Sequence, residues 1–413
     1  MKRIRSFQRI ILTLMMLAAA CLIPRQGCAA EEFSWYPFKL SSSSGSFQFG
    51  LTGRVILEGF APGPDGAGLI TQQSSFLSGR TSLFADVFLG KHLYATGEFR
   101  ADTGEAPQKG VLAGRVEQAF LRYKPWLNHN IHIQYGKFVS PFGAYNQRHD
   151  SAADPFIRPP LMYDYRTMVS SNYIPNSNDA FINWKYAPDI WRPVGAPVIW
   201  GNPYQIGAMF FGGFRKFDFR LAAMNSAISS EPGVWNYQLW QENHPSYVAH
   251  AGYRVLPELY LGMAYSTGPY LGERAKSFIP KDEFNSYQQN TWEMEFLYEK
   301  GKTQIRGEVF QDTWHVERVI DNPTDVSGYV EIKQKFLSGF YGAIRYGTIR
   351  FNEIRLSSGK REAWDFDIWR GQAALGYRIL RNLEVRTEYM WNSTNSPEDP
   401  KDNLGSLQCR FEF

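Results

Sequence analysis

The chain has 413 residues, of which 44% are apolar, 20% charged and 16% aromatic. That balance excludes a disordered tail, which would carry fewer aromatics, and a helical membrane protein, which would carry long apolar runs. The formal net charge of +4 is set near the N-terminus. Removing residues 1–30 takes away Lys2, Arg3, Arg5, Arg9 and Arg25 and no acid, leaving 39 basic against 40 acidic residues. A nearly neutral remainder gives no argument for nucleic acid as a partner.

In chain order, residues 1–30 read as a signal peptide: a basic start, an apolar stretch from Ile10 to Ile23 of about fourteen residues, too short for a membrane helix, and a Cys28-Ala29-Ala30 cleavage site before Glu31. A rival reading places lipoprotein cleavage before Cys21, but the apolar Leu22-Ile23 that would follow speaks against it. Only Cys409 is left after cleavage, so no internal disulfide and no thiolate metal site is expected. Residues 31–45, ending in Ser41-Ser42-Ser43-Ser44-Gly45, read as a short periplasmic linker.

From residue 46 to 413 the chain alternates with period two, as half-buried strands do. In His92–Asp102, Leu93, Ala95, Gly97, Phe99 and Ala101 share one face, while Glu98, Arg100 and Asp102 lie on the other. The same split recurs in Trp292–Glu299, Leu383–Met390 and Leu407–Phe413. Seven tight connections fall at Leu89–His92, Trp126–Asn130, Gly212–Lys216, Leu256–Glu258, Glu299–Lys302, Leu337–Gly339 and Leu380–Asn382. Eight long polar or Gly/Pro-rich stretches alternate with them, near 59–74, 103–113, 139–203, 226–245, 268–288, 314–327, 352–364 and 393–403. Fifteen connections make sixteen strands with both ends on the short-turn side, as a closed outer-membrane barrel requires. In lipid every backbone N–H and C=O must be paired within the protein, so strands cross only as a barrel without edges. Trp126, Trp292, Tyr298, Tyr346, Tyr377, Tyr389 and Phe413 stand at strand ends where interfacial girdles belong. A secreted β-sandwich or β-helix is the soluble alternative, and the unbroken up-and-down order with a C-terminal Phe argues against it.

Sixteen strands enclose more space than side chains fill, so the lumen holds water unless something plugs it. The 31–45 linker is too short to be a plug. The outlier is residues 139–203: a loop of that length is uncommon unless functional, and folded inward it would narrow the channel. Phe181–Ala187 alternates enough for an extra strand or hairpin, but a transmembrane strand there would break the loop parity, so it is assigned to the loop.

Tyr135-Gly136-Lys137-Phe138-Val139-Ser140-Pro141-Phe142-Gly143, followed by a Pro-rich stretch and then by 204–211 and 217–225, resembles the phosphate-selective porin O and P family. The resemblance implies a trimeric, sixteen-stranded outer-membrane channel with a loop folded into the pore, Lys137 ending the fifth strand and Pro141 starting the constriction. Dense lysine and arginine ladders mark the phosphate-selective members, and this sequence departs from that pattern. Inward positions hold fourteen basic residues, among them Arg100, Arg122, Arg220, Arg306, Arg345 and Arg386, and fourteen acids, among them Glu98, Glu295 and Glu308. The long loop is equally mixed, with Arg148, Arg158 and Arg166 against Asp150, Asp154 and Asp164. These residues are the candidate pore wall and constriction, although such charges often serve only to pair across strands. The loop aromatics Tyr145, Tyr163, Tyr165, Tyr173, Trp184, Trp191 and Trp200 read either as a sugar-stacking slide or, the favoured reading, as a small core packing the loop on the wall.

The expected function is passive diffusion of small hydrophilic solutes or ions through a protein embedded in outer-membrane lipid, with no cofactor, no metal and no chemistry. Two alternatives are an adhesive or structural barrel, using Trp235, Trp240, Trp314 and Trp364 at the outer loops, and a rim-site hydrolase built on His149-Asp150-Ser151. Adjacent residues rarely converge as a triad. His92, His132 and His250 point inward from different strands without metal-ligand spacing.

Overall fold

A computed structural model describes residues 37–63, 75–102, 113–149, 153–201, 204–230, 245–280, 283–397 and 403–413. Residues 1–30, read as a signal peptide, and the first part of the stretch read as a linker lie outside these residues. The strands are β1 (Phe38–Ser41), β2 (Phe47–Pro62), β3 (Phe76–Leu89), β4 (Leu93–Asp102), β5 (Ala113–Tyr123), β6 (Asn130–Val139), β7 (Tyr204–Phe214), β8 (Phe217–Met224), β9 (Ser246–Leu256), β10 (Leu259–Pro269), β11 (Gln288–Lys300), β12 (Thr303–Trp314), β13 (Thr324–Leu337), β14 (Phe340–Phe351), β15 (Glu353–Arg355), β16 (Arg361–Ala363), β17 (Ile368–Leu380), β18 (Leu383–Thr394) and β19 (Leu404–Glu412).

Each strand from β2 to β14, and then β17, β18 and β19, pairs antiparallel with the next, and β19 returns to pair with β2 over Leu404↔Pro62 to Glu412↔Arg54. Sixteen strands thus close on themselves, as the connection count predicts. The seal runs to the last residue, where Phe413 N–H donates to Gly53 O at 2.9 Å and Gly53 N–H donates back at 2.7 Å. All seven tight turns and all eight long connections fall between the strands where the sequence puts them.

Two elements were not expected. The stretch read as a linker contains β1, which folds back through the Ser42–Ser46 turn to pair with β2, from Phe38↔Leu51 to Ser41↔Gln48. The connection after β14 carries a small hairpin, β15 paired with β16, whose turn uses Gly359 at φ +82°.

Alternation sorts the side chains. Leu83, Phe99, Leu121, Phe210, Leu221, Met294, Val309, Ile344 and Leu407 are exposed on the outer face, as are the girdle residues Trp126, Trp292, Tyr346, Tyr377, Tyr389 and Phe413. An apolar surface running round sixteen strands is unfavourable in water and suits a lipid surround. Among the described residues no helix is long and apolar enough to cross a membrane; the strands form the wall instead. The acids and arginines on the opposite face are buried, including Glu98, Arg100, Glu308, Arg345 and Arg386.

The segment between β6 and β7 supplies most of the apolar core. Phe142, Leu161, Met162, Tyr163, Tyr165, Met168, Phe181, Ile182, Val198 and Ile199 pack in one cluster with inner-face residues Phe310, Tyr329, Ile349, Phe351 and Ile368. Where 181–187 was read as an alternating hairpin within the loop, the chain is helical: α1 (Asn178–Asn183) runs into a 3-10 turn at Trp184–Tyr186. The Ser177 side chain caps α1 by accepting from Ala180 N–H at 3.2 Å, and Asp179 sits in the first turn. A serine cap and an early acid are a helix-start signal that outweighs a short alternation.

Candidate pore wall and constriction

The inner wall carries charge pairs both within strands and between them. On β4 and β5, Arg100 lies 3.1 Å from Glu98 and 3.0 Å from Glu117, while Arg115 meets Asp102 at 2.8 Å and Glu117 at 2.6 Å. Arg345 on β14 meets Glu331 on β13 at 2.8 Å, and Arg386 meets Glu384 at 2.9 Å. Glu295 takes its contact from His250 at 2.9 Å. Such pairing stiffens the wall in the way opposed strand residues do.

Several wall acids bond the long segment rather than a wall cation. Just after β6 the chain turns at Gly143, whose φ of +85° suits glycine and whose added Cβ would stand 2.4 Å from the Tyr163 hydroxyl. In that conformation the N–H groups of Gly143 and Ala144 donate to the Glu293 carboxylate at 3.0 and 3.2 Å. The next N–H, of Tyr145, donates to Glu308 at 2.7 Å, and the hydroxyls of Tyr163 and Tyr329 donate to the same carboxylate. Further along, Ile157 and Arg158 N–H donate to Glu388 at 2.5 and 3.0 Å.

Charged side chains of the segment are tied down too. Arg148 lies 3.0 Å from Glu331 and 3.3 Å from Asp154, and Asp154 also meets Arg345 at 3.2 Å. Arg158 and Arg370 clamp Asp164 at 2.5 and 2.7 Å. Burial alone would raise the Asp164 pKa, but those two guanidiniums hold its carboxyl below the usual value, so it is an anion at neutral pH. Arg192 meets Asp365 in the β14–β17 connection at 3.0 Å. Charge-assisted bonds of this kind are shorter and stronger than neutral ones.

The described residues leave open spaces, three of which bear on the pore. A gap of about 100 Å³ lies between the segment and the inner faces of β2, β3, β18 and β19, lined by Arg80, Arg158, Arg166, Arg386 and Arg410 against Glu58 and Asp164. A cavity of about 600 Å³ lies against β7–β12 and contains Arg122, Arg220, Arg254 and Arg306 in its lining. A third, of about 720 Å³, opens at the short-turn rim and is lined by Lys302, Lys333, Lys335, Arg378 and Arg381 against Glu299. The linings hold more basic than acidic side chains, although Arg158, Arg386 and Arg410 are themselves ion-paired, with Asp164, Glu384 and Glu412.

Among the expected site residues, Arg100, Arg345, Arg386, Glu98 and Glu308 stand in the buried pairs above. Arg122 donates to Gln134 at 3.0 and 2.9 Å and lies over the rings of Tyr94, Phe120 and Phe211. Arg166 lies 4.8 Å over Trp200. Asp150 and Ser151 lie outside the described residues, and so do Trp235 and Trp240. His149 sits between Asn146 O at 2.6 Å and the Tyr204 hydroxyl at 3.1 Å. Lys137, expected to end the fifth barrel strand, lies two residues before the end of β6 at Val139, with Nζ donating to Val116 O at 2.9 Å.

Missed wall charges include Arg80, Arg115, Glu117 and Asp325, the last on β13 in a stretch read as loop. Arg80 shares the parity of Asp86 on β3 and was legible from alternation alone. Arg115 and Glu117 were hidden by a register shift between Glu98 and Phe99: one extra residue on β5 turns its two ends to opposite parity. The loop aromatics take mainly the packing role: Trp184 stacks on Trp191 at 4.1 Å, and Tyr145 packs on Tyr163 at 4.8 Å. Tyr145, Tyr163 and Trp200 also line the gap. Trp314 and Trp364, read as possible adhesive anchors, are fully buried, with Trp364 stacked on Phe181.

No protein-family profile matches the sequence, and no curated protein is similar enough to be matched. Solved structures do match in fold. OmpF of Salmonella typhi, in complex with daunomycin, superposes with a TM-score of 0.58 at 12% identity, covering 91% of this chain and 100% of its own. The outer membrane channel DcaP of Acinetobacter baumannii gives 0.56 at 12% identity over 91% and 99%. An anion-selective porin from Comamonas acidovorans gives 0.55 at 10% identity over 89% and 100%. The chain thus has the fold of outer-membrane porins, a closed sixteen-stranded antiparallel barrel.

Proposed function

We propose that the chain is an outer-membrane diffusion channel for small hydrophilic solutes and ions, without enzymatic chemistry, and that it favours anions. Residues 139–203 act as the constriction, and the gap beside β2, β3, β18 and β19 is the passage they leave. The observation that carries this reading is the division of charge. Glu293, Glu308 and Glu388 are engaged with segment N–H groups, and five arginines, three of them ion-paired, line the gap against two carboxylates. A narrow, low-dielectric passage with excess positive charge lowers the barrier for anions.

The likeness to an anion-selective porin agrees with this preference, and the Lys137–Gly143 neighbourhood makes phosphate one of the anions to try. Export with removal of residues 1–30 and assembly as a homotrimer belong to the same reading, the trimer resting on resemblance alone. The adhesive reading loses Trp314 and Trp364 to burial. The rim-hydrolase reading is not favoured by the contacts of His149, whose two ring nitrogens face a backbone carbonyl and a tyrosine hydroxyl.

Refolded mature protein added to a planar bilayer should insert with discrete, equal conductance steps. A barrel shown to be inserted, by heat-modifiable gel mobility and protease protection, yet electrically silent would overturn the channel.

A further inference from the structure

Two buried acids near the long-loop end of the wall have no cation to match them. Asp312, two residues before the end of β12, and Asp325, the second residue of β13, are direct cross-strand partners. Their side chains are 0% and 1% exposed, and residues so opposed stand about 4.5–5.5 Å apart at Cβ. Asp312 accepts from the Thr291 hydroxyl and, with both oxygens, from Gln289 Nε2 at 3.2 Å, all neutral donors. Asp325 has no hydrogen-bond partner at either oxygen. Asp365, a further acid nearby, is matched by Arg192 at 3.0 Å, so that guanidinium is already engaged.

Neutral oxygens stand at the same place. Gln289 Oε1 and Ser327 Oγ are buried without partners. The amide of Gln289 is held against Asp312, and Ser327 follows Asp325 on the same face of β13. Ser327 and Trp314 both stand beside Asp325, with Ser327 Oγ and Trp314 Nε1 short of hydrogen-bond contact. Among the described residues no group of three His, Cys, Asp or Glu side chains is placed to hold a metal ion, so a thiolate or imidazole metal is set aside. Two carboxylates, an amide oxygen and a hydroxyl make an oxygen-only set, which suits a hard cation. A divalent ion bridging the two acids cancels their charge, which is costly to bury unmatched. Calcium takes about six to eight oxygens in irregular geometry, whereas magnesium demands a near-regular octahedron.

We propose that Asp312 and Asp325, with Gln289 and Ser327, bind one calcium ion beneath the long segment. Gln289 Nε2 also donates to Val198 O at 2.7 Å, so the ion fixes the side chain that ties the segment to β11. The site does not depend on ion flow through the lumen, and it is tested by metal content rather than by current.

The full mature chain is refolded in detergent micelles with calcium chloride, desalted by gel filtration and assayed for metal by atomic emission. One calcium per chain is expected, and refolding with magnesium chloride should leave about a tenth of that or less. Refolding with terbium chloride should give luminescence on tryptophan excitation, because Trp314 stands beside Asp325. Asp325→Asn should retain no calcium. Trp314→Phe should retain the ion but lose most of the terbium emission, and heat-modifiable gel mobility verifies that both variants are folded. A wild-type barrel that folds without retaining calcium overturns the site and leaves Asp312 and Asp325 sharing a proton. Equal retention of magnesium overturns the choice of ion. Calcium retained by Asp325→Asn, or terbium emission undiminished in Trp314→Phe, overturns the location. Calcium held by a barrel that carries no current would leave this site standing while the channel reading fell.

Discussion

The two sides of the inner wall use their charges differently. From β11 to β18, Glu293, Glu308, Glu331 and Glu388 take N–H groups or arginines of the 140–201 segment. From β5 to β9, Arg122, Arg220 and Arg254 face open space without a carboxylate partner among the described residues. One side is a clamp, the other a lining. The difference teaches that the number of inward charges says little about a pore, because selectivity depends on which of them face the narrowest section.

Breaking the clamp should have the largest effect. Glu293→Ala combined with Glu308→Ala leaves the Gly143, Ala144 and Tyr145 N–H groups without acceptors, each charged bond being worth about 1.5–3 kcal/mol. The segment should then detach: single-channel conductance should rise severalfold, and protease should cut near residues 140–150. Unchanged conductance in the folded double variant would mean that the segment does not narrow the path. Gly143→Ala is the milder route to the same end, since a positive φ costs a side chain about 1–2 kcal/mol and the Cβ meets the Tyr163 hydroxyl. A lower unfolding midpoint in thermal melts is expected, and a wild-type midpoint would contradict the turn geometry.

On the lining, Arg166→Gln removes a gap cation that stacks on Trp200 and bonds the carbonyls of Pro193 and Gly195. Anion preference should fall by a factor of about two, read as a smaller reversal potential, with conductance little changed; an unaltered preference would remove Arg166 from the path.

The smallest effect concerns the outer hairpin. There the Tyr186 hydroxyl bond at 2.6 Å and then the Lys185 ammonium at 2.9 Å hold the Glu362 carboxyl near a pKa of about 2. A lowered folded-state pKa stabilises above the ordinary value of 4.5 and loses that contribution as pH falls toward about 2. Hydrogen-exchange protection factors around 185–186 and 361–363, corrected for the intrinsic rate at each pH, should therefore hold at pH 5 and fall as pH approaches 2. Glu362→Gln should show the lower protection already at pH 7.

Much of the fold was legible because a barrel repeats one rule. Period-two alternation named the faces, and turn residues between alternating runs placed each barrel strand to within a few residues, so Glu98, Arg100, Glu308 and Arg345 could be pointed inward from sequence alone. That rule fails where the period is interrupted. The bulge at β5 reversed the parity of Arg115 and Glu117, and no residue type marks a bulge reliably. Helix α1 was read as alternation although Ser177 and Asp179 signalled a helix start. β1 was missed because four residues are too few to show a period.

Within the site, the segment's extent and its turn after Lys137 were legible, and so was the packing role of its aromatics. Which acids would bond to its backbone was not. Those bonds join residues some 150 positions apart, as Gly143 and Glu293 are, and a hydrogen bond to a backbone N–H leaves no side-chain pattern on the donor to be read. The lining charge was hidden too, behind an even count of inward charges.

The most direct test is the reversal potential of single channels in a potassium chloride gradient at neutral pH. Because acids are engaged with the segment and arginines line the gap, the potential should carry the sign of chloride preference. A potential of zero, or one of the sign of potassium preference, would contradict the proposed division of charge.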